Sequence, residues 1–189
     1  ILEAMNDFSV SVDRTTHPLP TPFLVIATQN PYEFEGTYPL PESQLDRFLM
    51  RITLGYPDKA SERALLAGED RRSTVARLQP VMSPAELQIA QQAVLAVHAG
   101  EPLLDYLQLL IAATRSGQWF SEGLSPRAGI AVLRAAKAHA LMDRRDYVAP
   151  DDVQAVLVQC IAHRLSPVPG AGRGASEQVM AMVKSIAVH

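Results

Sequence analysis

The sequence predicts an α/β part followed by an all-α part. Short strand-like runs, joined by loops that contain Pro and Gly, precede Pro57, whereas helical patterns with recognisable first turns follow it. A continuous apolar and β-branched run at residues 23–28 is typical of a strand buried on both faces of a parallel sheet. We therefore expect two domains, residues 1–57 and residues 58–189.

The first part begins inside an apparent helix, residues 1–7, with no initiating Met or cap, so the chain is expected to be a fragment of a longer protein. Residues 8–12 alternate apolar and polar side chains as a strand does, and the segment 16–20 should interrupt that strand. This predicts a hairpin-like excursion. A further strand-like run covers residues 48–54.

The second part shows repeated helix starts. One helix is predicted from about Ser61, and residues 83–86 (SPAE) form a capping box with Pro at the first helical position. Further starts are expected at Pro102, Pro126 and Pro150, and a last helix is expected at about 176–188, after a flexible breaker at 166–174. Apolar residues at helical spacing predict a small bundle; they are Leu103, Leu107, Leu110, Ile111, Ile130, Leu133, Ala136, Ala140, Val153, Val156, Leu157, Cys160 and Ile161.

Composition excludes several classes of protein. A net charge of -3 over 189 residues argues against a nucleic-acid-binding surface. The single cysteine, Cys160, excludes an internal disulfide, fits the cytoplasm and is expected to be an inert packed thiol. No apolar run is long enough to insert into a membrane, and the five histidines lack ligand spacing, so no metal site is expected.

Asn30 is the first candidate site residue. It follows the predicted strand at 23–28, and ligands bind beyond the carboxyl ends of such strands. Its amide offers a donor and an acceptor, which suits a side chain that holds a water in line with a phosphate. The alternative is that Asn30 caps the turn that it forms with Pro31.

Two arginines suit the negative charge of phosphoryl transfer. Arg47 is a candidate arginine finger, because a planar guanidinium supplied by a neighbouring subunit stabilises the transferred group; a local ion pair, for example with Asp46, is the alternative. Arg127 lies in the first turn of a predicted helix, where the helix dipole favours anions. A carboxylate such as Glu122 could instead account for a cation at that position.

Six segments resemble the MoxR family of AAA+ ATPases. They are residues 2–5 (LEAM), 18–20 (PLP), 23–31 (FLVIATQNP), 35–48 (EGTYPLPESQLDRF), 124–128 (LSPRA) and 145–153 (RDYVAPDDV). The match covers nearly the whole chain and weakens after Leu165. By position, Asn30 resembles the sensor-1 residue, Arg47 the arginine finger and Arg127 the sensor-2 arginine, and residues 8–22 resemble a hairpin inserted before the sensor-1 strand.

The resemblance implies part of a P-loop NTPase αβα core at residues 1–57 and a helical lid at residues 58–189. In the parent protein, ATP and Mg²⁺ would bind between the two parts. Closure of the lid would bring Arg127 to the phosphates, while Arg47 would reach the site of an adjacent subunit. The resemblance also implies a homo-oligomer, often a hexameric ring, that remodels or matures client proteins, commonly ones with von Willebrand A domains.

The chain departs from the family in one respect. It contains no GxxxxGK[ST] phosphate loop and no apolar strand ending in Asp-Glu before its first helix. The family places both upstream of Ile1, so we expect an active ATPase in the parent and no activity in this chain alone. Two alternatives remain. An adjoining von Willebrand A domain would favour a magnesium-chelatase-like subunit, and a parent without a phosphate loop would favour a non-enzymatic helical interaction module.

Overall fold

The computed structural model describes residues 2–29, 41–68 and 75–187. Helix α1 spans Leu2–Asp7 and leads into an antiparallel hairpin of β1 (Ser9–Val12) and β2 (Thr15–Pro18). Asp13 and Arg14, between the strands, both have positive φ, 48° and 66°. Positive φ at both central residues is what a two-residue turn with the twist of a hairpin requires. The predicted hairpin is therefore confirmed.

One detail of that prediction is wrong. Residues 16–18 do not interrupt the strand but belong to β2, where Pro18 pairs with Ser9 at the end of the ladder. Proline is tolerated there because it lies at the end of a strand in a two-stranded sheet, where its missing N–H breaks no internal ladder bond.

The two strands predicted at 23–28 and 48–54 are also wrong for the described residues, whose sheet is the hairpin alone. Leu24 and Ile26 are 77% and 79% exposed. A parallel strand needs neighbouring strands to satisfy its backbone groups, and the described part of the chain places none beside either run. The N–H of Arg51 instead donates to the carbonyl of Gln159, at 2.9 Å.

Short helices link the hairpin to the helical part. Helix α2 spans Glu42–Leu45 and α3 spans Lys59–Leu66, where Asp58 accepts a hydrogen bond from the N–H of Ser61 at 2.7 Å. Helix α4 spans Pro84–Ala96. Its capping box is confirmed, because Ser83 and Glu86 each accept a hydrogen bond from the other's backbone N–H.

Three of the remaining helices begin at or next to the predicted prolines, and the last begins at Ala175, one residue before its predicted start. Their bounds are Glu101–Arg115 for α5, Pro126–Met142 for α6, Pro150–Ile161 for α7 and Ala175–Ser185 for α8, with a 3-10 turn at Ala162–Arg164. The loop before α5 pairs with the loop before α7, since the N–H of His98 donates to Asp146 O and the carbonyl of His98 accepts from Val148 N. These bonds hold the ends of α4 and α6 together.

The core lies between α5, α6, α7 and α8. Its largest fully buried side chains include Leu110, Leu157, Ile161 and Met182. The buried residues of α6 are Ala128, Gly129, Ala131, Val132, Ala135, Ala136 and Ala140. The assignment of Ile130 to the core is wrong, because that side chain is 55% exposed. Small residues on the buried face allow neighbouring helices to come close: a Cβ on Gly129 would lie 2.7 Å from Ile111 Cδ1.

Candidate functional site

The loop before α6 is held rigidly against α5. Thr114 donates its hydroxyl to the carbonyl of Ile111 and accepts from the N–H of Leu124, at 2.7 and 3.2 Å. Arg115 donates to the carbonyl of Leu124 from Nε at 3.0 Å and from Nη2 at 2.7 Å. Because both backbone groups of the buried Leu124 are satisfied by α5, the position at which α6 starts is fixed.

Gly123 completes this contact. A Cβ at this residue would lie 2.3 Å from Cγ and 2.8 Å from Cα of Arg115, so no larger residue fits without moving the helix backbone. Glycine is therefore required here by the close approach of the loop to α5 rather than by an unusual φ.

Helix α6 begins with a shared cap. The hydroxyl of Ser125 accepts from the N–H of Ala128 at 3.2 Å and donates to the carboxylate of Asp46, 3.1 and 3.2 Å from its two oxygens. Pro126 occupies the first helical position, and Arg127 follows in the first turn with an exposed side chain. The helix start that carries Arg127 is thus bonded to a residue 79 positions earlier.

The segment around Arg47 follows α2 as a tight turn. The N–H of Arg47 donates to Gln44 O at 3.2 Å, and the N–H of Phe48 donates to Leu45 O at 3.1 Å. The carbonyl of Phe48 accepts from Nη2 of Arg164 at 2.6 Å. Arg47 is half-buried in this turn, next to the carboxylate that Ser125 bonds.

Arg164 links the two segments. Its side chain is only 4% exposed, and Nη1 lies 3.5 Å from Oδ1 of Asp46. Burial lowers the pKa of Arg164, the charge of Asp46 raises it and the charge of Arg127 lowers it again. The positive charge of Arg127 therefore acts on Arg164, although less strongly than the negative charge of Asp46.

The structure brings two of the three predicted site residues into one neighbourhood. The segments of Arg47 and Arg127 meet through Asp46 and Ser125. Asn30 lies outside the described residues. Sequence reasoning missed Arg164, because an arginine in a helical tail gives no local sign that it will be buried against a carboxylate far away in sequence.

A second polar cluster lies at the far end of α6. The carboxylate of Asp152 is 1% exposed and accepts from both Nη atoms of Arg145, at 2.6 and 2.5 Å, and from the N–H of Ala149 at 2.7 Å. Nδ1 of His139 lies 2.7 Å from Oδ1 of Asp152. These contacts, that with Arg145 above all, hold the pKa of Asp152 well below its usual range.

His139, Asp143 and Asp152 lie close enough together to suit a metal ion. However, the guanidinium of Arg145 already binds both carboxylates, since it also lies 3.2 Å from Oδ2 of Asp143. A second cation at this place would be repelled. The cluster is therefore a structural ion network that fixes the first turn of α7 to the end of α6.

Two further predictions concern packing. Cys160 is fully buried, and burial raises the pKa of its thiol to about 11, which confirms an inert packed thiol. Phe120 is 1% exposed, and its segment is joined to the segment of Pro167 by Ser121 N to Ser166 O and Val168 N to Trp119 O. The start of the predicted flexible breaker is therefore anchored beside the core.

Known proteins match both the α2 segment and the helical bundle. The family model described as "ATPase family associated with various cellular activities (AAA)" matches residues 1–50, and the AAA lid domain matches residues 112–183. The chain is 38% identical over 174 residues to the Chaperone MoxR1 of Mycobacterium tuberculosis (strain ATCC 25618 / H37Rv), and the match covers 87% of this chain and 46% of that protein. The chain belongs to the MoxR family of AAA+ ATPases.

Other relatives agree with this assignment. The uncharacterized protein YeaC of Bacillus subtilis (strain 168) is 42% identical over 165 residues, 87% of this chain and 52% of YeaC. A 2.00 Å crystal structure from Cytophaga hutchinsonii ATCC 33406, described as a candidate ATPase, superposes with a TM-score of 0.88 at 34% identity; the match covers 100% of this chain and 61% of that one. The chain spans about half the length of the curated relatives that it matches.

The predicted fold class is confirmed at the level of the MoxR family: part of an AAA+ αβα core followed by a helical lid. The lid match at residues 112–183 contains Arg127, Arg164 and the core of the bundle, and the AAA match at 1–50 contains Arg47. None of the helices in the described part of this MoxR-family chain combines the length and apolar character needed to cross a membrane.

Proposed function

We propose that this chain is the nucleotide-responsive back half of a MoxR-type ATPase, which couples ATP binding and hydrolysis to the remodelling or maturation of client proteins. The observation that carries the proposal is the bond between Asp46 and Ser125, which joins the Arg47 turn to the first turn of α6. Arg47 and Arg127, the two arginines expected to act on phosphate, therefore lie on backbone segments that are bonded to each other.

The chemistry suits the phosphates of ATP. The exposed guanidinium of Arg127 lies in the first turn of α6, where its positive charge attracts an anion beside the helix start. The N-terminal end of a 17-residue helix adds to the attraction. Guanidinium groups placed there stabilise the negative charge that develops as a phosphoryl group is transferred.

The same arrangement supports one nucleotide for both arginines. Arg47 is adjacent in sequence to Asp46, and Arg127 lies two residues after Ser125, so their long side chains start from neighbouring backbone positions. If Arg47 reaches the nucleotide of an adjacent subunit in a ring, Arg127 is placed to act on that nucleotide too. This differs from the sequence-based expectation that Arg127 closes over the nucleotide of its own subunit.

The remaining parts of the site would come from residues beyond this sequence. No GxxxxGK[ST] loop is present, and the described acidic cluster around Asp152 does not suit Mg²⁺, because Arg145 holds its carboxylates. When bound, ATP and Mg²⁺ supply the phosphoryl group and neutralise its charge. We propose the division at residue 57 as the border between core and lid, with Thr21, Asp46, Phe48 and Arg51 among the core residues that contact the lid.

A homo-oligomeric, often hexameric ring and clients with von Willebrand A domains complete the proposal, on the basis of the family alone. A cytoplasmic location stays a prediction.

The test is turnover by mixed rings of the full-length protein. Arg47→Ala and Arg127→Ala rings should each lose about 10³-fold or more in ATP turnover if their guanidinium groups act as arginine fingers do. Each variant is then mixed with a variant that lacks the phosphate-loop lysine. Recovery with Arg47→Ala supports action on the neighbour's nucleotide, and recovery with Arg127→Ala as well supports a shared nucleotide.

The matched control is Arg134→Ala, which removes an exposed arginine of α6 and should leave turnover unchanged. Recovery of ATP turnover with Arg47→Ala alone would mean that Arg127 acts on the nucleotide of its own subunit. No recovery with either variant, despite confirmed mixed assembly, would contradict action across the subunit boundary. The isolated chain is expected to show no ATP hydrolysis, because it lacks the phosphate loop, and saturable turnover from it would contradict that expectation.

A further inference from the structure

Arg164 makes contacts that the proposed chemistry does not use. It lies in the 3-10 turn after α7 and contacts two parts of the Arg47 turn: Nη1 forms an ion pair with Asp46, 3.5 Å from Oδ1, and Nη2 donates a hydrogen bond to the carbonyl of Phe48. Near the same end of α7, the carbonyl of Gln159 accepts a hydrogen bond from the N–H of Arg51. The turn that carries Arg47 is thus fastened to the lid on both sides of Arg47.

Because the Arg164 side chain is buried, its guanidinium needs the ion pair with Asp46. The Arg164 side chain is 4% exposed, and a buried guanidinium is costly unless a carboxylate pairs with it. Asp46 supplies that carboxylate, and the same group accepts the hydroxyl of Ser125, which caps α6. A chain of contacts therefore runs from Arg164 through Asp46 and Ser125 to the first turn that carries Arg127.

We propose that Arg164 is a positioning residue that locks the Arg47 turn to the start of α6, so that Arg47 and Arg127 move as one unit with the lid. Arg164 need not touch nucleotide for this role. The consequence for turnover rests on the proposed function, whereas the lock itself is a property of this chain.

The shape of the side chain matters to the lock. Arginine places two nitrogens at separate points, Nη2 in a hydrogen bond to Phe48 O and Nη1 in an ion pair with Asp46, whereas the single ammonium of lysine cannot occupy both positions. Arg164→Lys should therefore keep the positive charge but bind the Arg47 turn more weakly. Arg164→Gln should lose both the charge and the contacts.

The first measurement is amide hydrogen exchange on the isolated chain. Exchange of the amides of Arg47, Phe48 and Arg51 should rise in the order wild type, Arg164→Lys, Arg164→Gln, by about 10-fold to 100-fold for the last, since a hydrogen bond to a charged group has been lost. Exchange in the middle of α7 and α8 should stay unchanged. Arg134→Gln, an exposed arginine of α6, is the matched control.

Asp46→Ala is the reciprocal variant: it keeps Arg164, removes the carboxylate that pairs with it, and leaves the hydrogen bond from the N–H of Ala128 to the Ser125 hydroxyl in place. In this variant exchange should rise both in the Arg47 turn and in the first turn of α6. Unchanged exchange in the turn for both Arg164→Lys and Asp46→Ala would overturn the lock. Equal increases throughout α5 to α8 would also overturn it, since they would show only a loss of global stability.

The second measurement is steady-state turnover by the full-length protein. Arg164→Lys and Arg164→Gln should lower kcat by about 10-fold or more and leave KM for ATP unchanged, because only the placement of transition-state groups is altered. Losses in kcat that do not follow the order of the exchange data would overturn the positioning role. If wild-type protein hydrolysed no ATP, the proposed function would fail, and the exchange data would still decide whether the lock exists.

Discussion

Two regions of the molecule differ sharply in how much they bury. We call residues 97–187 the C-terminal region and the described residues before them, 2–29, 41–68 and 75–96, the N-terminal region. Among these residues, all buried hydrophobic side chains except Ala4 lie between Val97 and Met182. In the N-terminal region large apolar side chains are exposed, with Leu54 at 92% and Leu66 at 84%.

The difference shows that local helix signals do not create a core. Helix α4 has a complete capping box and Pro at its first position, yet it contains no buried residue. Helix α6 buries seven residues, because its small side chains let α5 and α7 approach. The described contacts of the N-terminal region with residues 97–187 include the polar ones of Asp46, Phe48 and Arg51, and a hydrogen bond from Nζ of Lys137 in α6 to Leu95 O in α4.

The largest expected effect comes from the buried carboxylate of the C-terminal region. Asp152→Ala should lower the free energy of unfolding by about 3–5 kcal/mol, because it leaves Arg145, His139 and the N–H of Ala149 without their shared acceptor. Asp151→Ala, at the exposed neighbouring position, is the control and should change stability by less than about 0.5 kcal/mol. Urea unfolding followed by circular dichroism measures both.

Acid should weaken the same contact. The pKa of Asp152 is lower in the folded chain than in the unfolded chain, so its contribution is present at neutral pH and is lost as pH falls below the ordinary aspartate value of about 3.9. Equal decreases in the free energy of unfolding for Asp152→Ala and Asp151→Ala would show that the ion network does not stabilise the bundle.

A matched pair of leucines tests the comparison directly. Leu157→Ala removes a side chain that is 1% exposed and should cost about 2–5 kcal/mol, since it leaves a cavity in the core. Leu54→Ala removes one that is 92% exposed and should change stability by less than about 0.5 kcal/mol. Similar costs at the two positions, measured by urea unfolding, would mean that the N-terminal region buries its apolar side chains in solution.

The smallest expected effect is a pH dependence at the contact between the two regions. Burial, and then the charge of Arg164, lower the pKa of His163, whose Nε2 lies 3.3 Å from Phe48 O. The unfolded chain therefore binds more protons between that lowered pKa and about 6.5, so stability should fall as pH decreases through this window. His163→Gln should lose less stability than wild type between pH 7 and pH 5.

The control for this measurement is His98→Gln, which removes a histidine at the loop before α5 and leaves the contact of His163 with Phe48 in place. Identical pH profiles for wild type and His163→Gln would contradict a neutral, buried imidazole in the folded chain.

Much of the candidate site could be predicted from sequence because its residues carry local signals. Arg127 lies directly after Ser125 and Pro126, a cap and a first-turn proline, and Arg47 lies in a motif that resembles a known family. Arg164 had no such signal. Its role depends on Asp46, 118 positions earlier (164 minus 46), and no helical or strand periodicity relates residues so far apart.

The sequence by itself determined the helix starts, the hairpin and the chemical types available for phosphate binding, because caps, turns and side-chain chemistry depend on a few adjacent residues. Only the tertiary structure decided that residues 23–28 form no strand among the described residues, that Ile130 faces solvent and that Asp46 pairs with Arg164. Burial and ion pairing depend on which distant surfaces meet, and strand formation depends on which neighbour is present to accept its backbone hydrogen bonds.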